Sequence, residues 1–237
     1  MATAILTAPV LTDDDGVGEH QGFLDPAEAA RIHRLCRDAP IPSSLFYLPV
    51  DALDAEAIAE YLPLPLASFV TVYLRRLLAV APAAMRARAH GFELWTTQAE
   101  RNPAAQVYLH VDCDEQLRVD HGVVRTPMLG SVLYLGPHGM RGGETLFLAS
   151  HRFAPFAFHE RAALEAGGGA RVVVAEPGTL ALFAGHVAHG RAPVIDHPDG
   201  APRITLLANL WDAPIGRVPH GICALSPADF HRRREVA

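Results

Sequence analysis

The periodicity of the sequence changes near residue 92, and this change constrains the fold more than any other feature. From there the chain consists of short runs rich in Val, Leu, Thr, Phe and Tyr, separated by residues typical of turns. The runs are FELWTTQ, AQVYLHVD, LGSVLYLG, ETLFLAS, ARVVVAE, GTLALFAG and RITLLANLW. So many short strands at this spacing predict a mainly β protein with a double-stranded β-helix core, of the jelly-roll or cupin-like type.

Helical patterns occupy the part of the chain before this change. The stretch LDPAEAARIHRLCRDA has apolar residues at helical spacing, with Asp25 as the expected N-cap and Pro26 at the first helical position. Similar patterns cover residues 51–62 and 65–91, the second with a break near Pro82. We expect these helices to pack on one outer face of the β core.

The chain is therefore expected to form one domain over residues 1–237. A mainly helical support region would occupy residues 1–91, the jelly-roll core residues 92–212, and a C-terminal tail residues 213–237. Within the tail, SPADFHRRRE predicts a short exposed helix capped by Ser226.

Composition argues against several classes of protein. The chain has 237 residues, half of them hydrophobic, and a net charge of −6 with acidic and basic residues interspersed. Because no basic stripe offers itself to a phosphate backbone, we expect no nucleic acid partner. The three cysteines are far apart and form no CxxC pair, so neither a disulfide framework nor a thiolate zinc site is indicated.

Signals for export or for membrane insertion are also lacking. The N-terminal apolar stretch has no basic region, and acidic residues follow it at once. The longest apolar region, residues 61–85, is interrupted by prolines and by Arg75 and Arg76. We therefore expect a cytoplasmic protein that has no membrane partner, while its oligomeric state cannot be read from the sequence.

The stretch YLHVDCDE places two metal-competent side chains in a predicted strand. Because side chains alternate along a strand, Tyr108, His110 and Asp112 project to the same face. The HxD pair alone is a weak signal and needs a third ligand. The later stretch HVAHGRAPV supplies His186 and His189, and a folded sheet could bring either one beside the pair. Two histidines and one carboxylate form the ligand set that suits non-haem Fe(II).

The last strand, RITLLANLW, predicts a buried arginine. Alternation directs Arg203 and Thr205 to one side, whereas Ile204 and Leu206 face the other layer. An arginine that points into an apolar barrel is costly unless an anion compensates its charge. We therefore infer a bound carboxylate, which a guanidinium group holds with two parallel hydrogen bonds. This pair of residues predicts an anchor for a dicarboxylate.

Together these residues resemble those of the iron(II)- and 2-oxoglutarate-dependent oxygenases, in their prolyl-4-hydroxylase-like branch. The resemblance covers roughly residues 90–212 and depends on the ordered blocks HVD, VLYLGPHGMRGGETLFL, EPGTLALFAGHVAHGRAPV and RIT. Four blocks in the family's order are more specific than any one of them. A departure is the YLG of this chain, where the family has YLN.

The resemblance implies a metal site at defined positions. His110 and Asp112 correspond to the family's first two iron ligands. The family's third ligand stands four residues before the proline of PV, which selects His189 over His186. In related halogenases a small residue replaces the carboxylate, so Asp112 favours hydroxylation.

The resemblance also implies a site for 2-oxoglutarate. Arg203, helped by Thr205, would bind the distal carboxylate of this cosubstrate. Tyr134 would be a second hydrogen-bond donor to it, and Thr145 would line the same pocket.

The implied activity is that of a dioxygenase that uses Fe(II), 2-oxoglutarate and O₂. It would convert 2-oxoglutarate to succinate and CO₂ while it hydroxylates an unactivated C–H bond. Because the chain has no peptide-binding repeat and no basic groove, we expect a small-molecule substrate, such as a free amino acid or another metabolite.

Two alternatives of other classes stay open. A cupin-like metal enzyme that does not use 2-oxoglutarate would explain His110, Asp112 and His189, but it would give Arg203 and Thr205 no task. A non-catalytic jelly-roll binding module would keep the fold, but it would have no reason to retain three ligands together with an anion anchor. The sequence does not identify the prime substrate or the position that is oxidised.

Overall fold

Antiparallel strands with helices packed beside them make up the part of the chain that the structure describes. This computed structural model describes residues 16–43, 46–148, 153–167, 169–216 and 222–236. The strands are β1 Val17–His20, β2 Tyr47–Pro49, β3 Gly91–Ala99, β4 Val107–Leu109, β5 Leu129–Gly136, β6 Arg141–Gly142, β7 Thr145–Leu148, β8 Ala157–His159, β9 Ala170–Val173, β10 Leu180–Ala184, β11 Ala188–Arg191, β12 Val194–Asp196 and β13 Arg203–Trp211. The helices are α1 Pro26–Asp38, α2 Ala55–Ile58, α3 Leu64–Val80, α4 Ala83–Arg86, α5 Glu115–His121, α6 Arg161–Ala166 and α7 Pro227–Val236.

The largest sheet has six strands in the order β1-β10-β5-β13-β3-β2, and all of its pairings are antiparallel. Strand β13 lies near its middle and pairs with β3 along its full length, from Arg203 opposite Ala99 to Trp211 opposite Gly91. Side chains alternate along β13, so Arg203, Thr205 and Asn209 share one face of the sheet.

A second sheet, of three strands in the order β11-β7-β9, faces the first. Apolar side chains from both sheets form a shared cluster that includes Val132 and Phe183 of the large sheet and Phe147 and Val173 of the small one. The two sheets therefore pack face to face, as expected of a jelly-roll core.

Helices cover the opposite face of the large sheet. Ile32 of α1 and Leu74 of α3 belong to the same buried cluster as Leu133 of β5 and Leu206 of β13. Helix α1 begins as predicted, because the Asp25 side chain accepts a hydrogen bond from the Glu28 N–H at 2.9 Å.

The predicted break in the next helical region is also present. Helix α3 ends at Val80, and α4 begins directly after Pro82. This is the expected effect of a proline, since the ring prevents the helix from continuing through it.

Strands from the first region of the chain, which the sequence did not predict, form both edges of the large sheet. Strand β1 pairs with β10, and β2 pairs with β3. The predicted boundaries at residues 91 and 212 stay predictions. The predicted strand at residues 105–112 is shorter in the structure, where β4 ends at Leu109.

The C-terminal helix is present, and one of its side chains is buried. The Ser226 hydroxyl accepts a hydrogen bond from the Asp229 N–H at 3.2 Å, as an N-cap does. Phe230 is fully buried and packs on Phe46 with ring centroids 5.3 Å apart, whereas Arg233 is exposed. In the part of the chain that the structure describes, no helix has the length and apolar character to cross a membrane.

Candidate functional site

Two histidines face each other where β4 ends beside β11. The His110 N–H donates to the His189 carbonyl at 2.9 Å, and the His189 N–H donates to the His110 carbonyl at 2.8 Å. Side chains of such a reciprocally bonded pair project to the same side, and the ring centroids lie 4.5 Å apart. His186, by contrast, is exposed. The structure thus brings His189, not His186, beside His110.

The Asp112 carboxylate lies beside Nε2 of both imidazole rings. One carboxylate oxygen, Oδ1, is 3.6 Å from Nε2 of His110, and the other, Oδ2, is 3.7 Å from Nε2 of His189. The three potential ligand atoms all lie within 4.8 Å of one another. Two atoms bound to one metal at about 2.1 Å are separated by roughly 3 to 4 Å, so this spacing fits a shared cation.

Main-chain carbonyl groups contact Nδ1 of both rings, which leaves Nε2 of each ring available to a metal. Nδ1 of His110 is 3.2 Å from the Tyr108 carbonyl oxygen, and Nδ1 of His189 is 3.1 Å from the Val187 carbonyl oxygen. A carbonyl only accepts, so in the neutral imidazole Nδ1 carries the hydrogen and Nε2 has a lone pair. This is the tautomer that a metal ligand needs, and the contact also orients the ring.

The charges within the cluster favour an ionised carboxylate beside a neutral histidine. Burial opposes ionisation of Asp112, but its electrostatic interactions with the rings of His189 and His110, together with the hydrogen bond from His110, outweigh it and lower the pKa of Asp112. Burial lowers the pKa of His189. For His110 burial acts in the same direction, yet its interaction with Asp112 prevails and raises the pKa. At neutral pH, Asp112 is therefore a carboxylate and His189 is neutral, the states in which both bind metals.

A second buried carboxyl group lies behind this cluster, and the sequence analysis missed it. Glu93 is 8% exposed and stands opposite Asn209 in the register of β3 and β13. Burial, together with the charge of Asp112, raises the pKa of Glu93 to about 8, although Asn209 and Trp211 oppose the rise. Asn209 also interacts with Asp112 and lowers its pKa. The sequence did contain a signal for this residue. In the predicted strand FELWTTQ, alternation places Glu93 on the same face as Trp95 and Thr97.

Arg203 is buried on the inner face of β13. Its guanidinium Nε donates to the Gly143 carbonyl at 2.7 Å, and its carbon Cζ lies 5.4 Å from the centre of the Tyr134 ring. Among the residues that the structure describes, no carboxylate forms an ion pair with it. Burial lowers the pKa of Arg203 to about 10, so the group still carries its charge at neutral pH.

The other three predicted residues for the cosubstrate surround this arginine. The Thr205 hydroxyl lies 2.7 Å from the hydroxyl of Thr97 and 3.4 Å from one terminal nitrogen of Arg203. The Tyr134 hydroxyl donates to Thr145 at 2.6 Å, so its hydrogen is directed to that threonine. All four predicted residues therefore belong to one polar cluster.

Two glycines permit the close packing around the site. A Cβ at Gly190 would lie 2.6 Å from the Tyr108 carbonyl oxygen, so only glycine lets β11 approach β4 this closely. Gly143 has a φ of +73°, and a Cβ there would lie 2.8 Å from Cδ of Arg203. The glycine in each motif therefore keeps room for a neighbouring segment.

One cavity of about 890 Å³ connects the two groups of residues. Asp112 and Tyr134 do not line it but contact residues that do. The predicted site residues in its wall are His110, Thr145, His189, Arg203 and Thr205. Lining residues that the sequence analysis did not single out include Trp95, Gln98, Asn102, Gln106, Phe158, Glu160 and Arg191.

Sequence comparison by itself gives no relative. The chain matches no protein-family model, and no curated protein sequence matches it significantly.

Comparison of the fold with solved structures gives clear matches. EvdO2 from Micromonospora carbonacea var. aurantiaca is 12% identical, with a TM-score of 0.53 over 87% of this chain and 90% of that one. SnoN, a non-heme alpha-ketoglutarate-dependent epimerase from nogalamycin biosynthesis, is 16% identical, with a TM-score of 0.51 over 85% and 82%. A prolyl-4-hydroxylase from Pseudomonas putida is 18% identical, with a TM-score of 0.50 over 84% and 86%.

The chain has the fold of the 2-oxoglutarate oxygenases. The predicted jelly-roll core with its flanking helices is thereby confirmed. Because the identities range from 12% to 18%, the likeness establishes the fold and not the reaction.

The facing histidines generate a prediction about metal affinity. We expect His189→Ala to weaken Fe(II) binding by more than roughly 100-fold, because loss of an outer partner of a metal ligand already costs about 10- to 100-fold. Anaerobic calorimetric titration measures the affinity. The matched control is His186→Ala, three residues earlier in the same segment and exposed. Equal effects of the two substitutions would contradict the assignment.

The buried Glu93 generates a prediction about stability and pH. Because the pKa of Glu93 rises from its ordinary 4.5 to about 8 on folding, the folded state binds more protons between these values, and the free energy of unfolding falls as pH rises through them. In Glu93→Gln we expect the free energy of unfolding to decrease less over this pH range, by up to a few kcal/mol. The reason is that a tenfold difference in proton affinity between the folded and unfolded states is worth about 1.4 kcal/mol.

Urea unfolding of the metal-free protein at pH 5 to 9 measures this difference. Glu60→Gln, at an exposed position, should follow the wild-type profile. Parallel profiles for wild type and Glu93→Gln would mean that the Glu93 carboxyl is ionised in the folded protein at neutral pH.

Proposed function

We propose that this chain is an Fe(II)- and 2-oxoglutarate-dependent dioxygenase that hydroxylates an unactivated C–H bond of a free amino acid or another small metabolite. Succinate and CO₂ are the coproducts, and O₂ is consumed. The observation that carries the proposal is the cavity shared by His110, His189 and the buried guanidinium of Arg203, which forms no ion pair with any residue that the structure describes. The cytoplasmic location of the protein stays a prediction.

The donor set fits Fe(II). Nε2 of His110, Nε2 of His189 and the Asp112 carboxylate would hold the metal, because two histidines and one carboxylate are the ligand set that suits non-haem Fe(II). Oδ2 of Asp112 is buried and has no hydrogen-bond partner among the residues that the structure describes, as expected of an atom that ligates a cation. When bound, the metal supplies Lewis-acid and redox chemistry that no side chain offers.

Arg203 suits the distal carboxylate of 2-oxoglutarate. The Gly143 carbonyl accepts a hydrogen bond from Nε, which fixes the guanidinium plane; of the two terminal nitrogens, one makes a long contact of 3.4 Å to the Thr205 hydroxyl and the other is available to a ligand. A carboxylate can accept two parallel hydrogen bonds from such a group, and the Thr205 hydroxyl lies beside it. Thr145 lines the same cavity, and Tyr134 orients Thr145 through the hydrogen bond between their hydroxyls.

Aromatic side chains shield one side of the metal site. The ring of Phe183 lies 4.6 Å from the His189 ring, centre to centre, and that of Phe147 lies 5.9 Å from it. Both phenylalanines are fully buried, and His189 is 3% exposed. Bulk water is therefore kept away from this ligand, which strengthens the electrostatic interactions at the site.

The alternatives from other classes explain less of the site. A cupin-like metal enzyme without 2-oxoglutarate uses the histidines and Asp112 but leaves the buried charge of Arg203 without a partner. A non-catalytic module needs neither the ligand geometry nor the arginine. Burial of an uncompensated guanidinium is costly, so an anionic ligand is the better account of Arg203.

Anaerobic titration with Fe(II) and 2-oxoglutarate tests the proposed function. We expect the weak visible charge-transfer absorption of the iron chelate in the wild type. Arg203→Ala should need roughly 10- to 100-fold more 2-oxoglutarate to give the same band, because a charge-assisted contact of about 1.5 to 3 kcal/mol is lost. Arg37→Ala, on the exposed side of α1, is the control and should match the wild type.

Two results would contradict the proposal in different ways. If iron binds but no band forms at any concentration of 2-oxoglutarate, the cupin-like alternative is favoured. If no metal binds, while the cavity still binds small molecules, the non-catalytic module is favoured.

A further inference from the structure

The cavity holds a second guanidinium group, that of Arg191, which the proposed function does not use. Arg191 follows His189 by two positions on β11, so both side chains project to the same side of the strand. In the register of β11 and β7, Arg191 stands opposite Thr145, a residue of the cosubstrate cluster. All three residues line the same cavity.

No anion neutralises Arg191 among the residues that the structure describes. The Arg191 side chain is exposed, and its guanidinium forms no hydrogen bond or ion pair with any of them. Glu160 is the carboxylate among the lining residues, and it accepts a hydrogen bond from Gln106 at 2.7 Å. Glu144, the nearby acidic residue on the adjoining segment, is paired with Arg161 at 3.0 Å.

The two guanidinium groups of the cavity are close enough to repel each other. Burial lowers the pKa of Arg203, and the positive charge of Arg191 contributes to the decrease. Two like charges around one cavity favour ligands with anionic groups. In the proposed function, one carboxylate of 2-oxoglutarate would be held by Arg203, and the other end of the molecule would lie toward His110 and His189. Arg191 is thus left for an anion of another molecule.

The cavity also has an aromatic wall beside the metal site. Tyr108 is 41% exposed and Phe158 is 66% exposed, although both are large apolar side chains. Their ring centroids lie 5.0 Å apart, and the Tyr108 ring stacks on His110 at 5.5 Å with an angle of 18° between the planes. Exposed aromatic surface in a cavity is typical of a site that binds an apolar group.

The size of the cavity leaves room for a second ligand. Sites for drug-sized molecules measure roughly 300 to 1,000 Å³, and this cavity of about 890 Å³ lies near the upper end of that range. A molecule as small as 2-oxoglutarate fills only part of it.

We propose that Arg191 binds a carboxylate group of the prime substrate, and that the apolar or aromatic body of this substrate packs on Tyr108 and Phe158. The substrate class is a small carboxylic acid with an apolar or aromatic body. The inference rests on the proposed function and narrows its substrate. Arg191 is then a specificity-determining residue, distinct from the cosubstrate anchor Arg203.

Binding of matched acids and amides tests the inference without turnover. The probes are 3-phenylpropanoate and octanoate, each with its uncharged primary amide, added to protein loaded with Zn(II) and 2-oxoglutarate. Tryptophan fluorescence reports the binding, because Trp95 lines the cavity. Trp95→Phe identifies the part of the signal that comes from this residue.

We expect at least one acid to bind roughly tenfold or more tightly than its amide, as a charge-assisted contact implies. Arg191→Gln should abolish this preference and leave amide binding unchanged. Phe158→Ala should weaken acid and amide equally. Arg37→Gln, on an exposed face of α1, should keep the wild-type preference.

The inference is overturned if no acid binds better than its amide, or if Arg191→Gln keeps the preference. A further arm measures the 2-oxoglutarate affinity of Arg191→Gln from the iron chelate band, and we expect no change beyond about twofold. A loss as large as that in Arg203→Ala would assign Arg191 to the cosubstrate, which overturns the inference while the proposed function stands. Absence of the band from the wild type would overturn the proposed function itself.

Discussion

The reciprocal main-chain hydrogen bonds between His110 and His189 are the contact on which the rest of the site depends. They join the end of β4 to β11, and β11 in turn pairs with β7. That pairing sets Thr145 opposite Arg191, two residues from His189. Because main-chain bonds fix this register, the distances between the metal-competent residues and the walls of the cavity follow from the sheet and not from flexible side chains.

Features that depend on strand alternation could be predicted from the sequence. The shared face of Arg203 and Thr205, and the helix start at Asp25, follow from local periodicity and capping. The fold class was predictable for the same reason, since repeated short runs with turn residues between them admit few architectures.

Features that depend on pairing between distant segments could not be predicted. From local sequence, His186 and His189 were equally good candidates for the third metal ligand, and only the family resemblance favoured His189. In the structure, the register between β11 and the end of β4 brings His189 beside His110. Glu93 became relevant only because β3 pairs with β13 and sets it opposite Asn209. The edge strands β1 and β2 were missed because four- and three-residue strands carry too short a pattern.

The central claim is that one cavity holds a metal at the histidine and aspartate residues and 2-oxoglutarate between that metal and Arg203. A crystal structure of the protein with Mn(II) and 2-oxoglutarate, with anomalous scattering to locate the metal, tests it most directly. We expect Mn(II) bound by Nε2 of His110, Nε2 of His189 and the Asp112 carboxylate, with the distal carboxylate of 2-oxoglutarate on Arg203. Metal at another position, or 2-oxoglutarate without contact to Arg203, would contradict it.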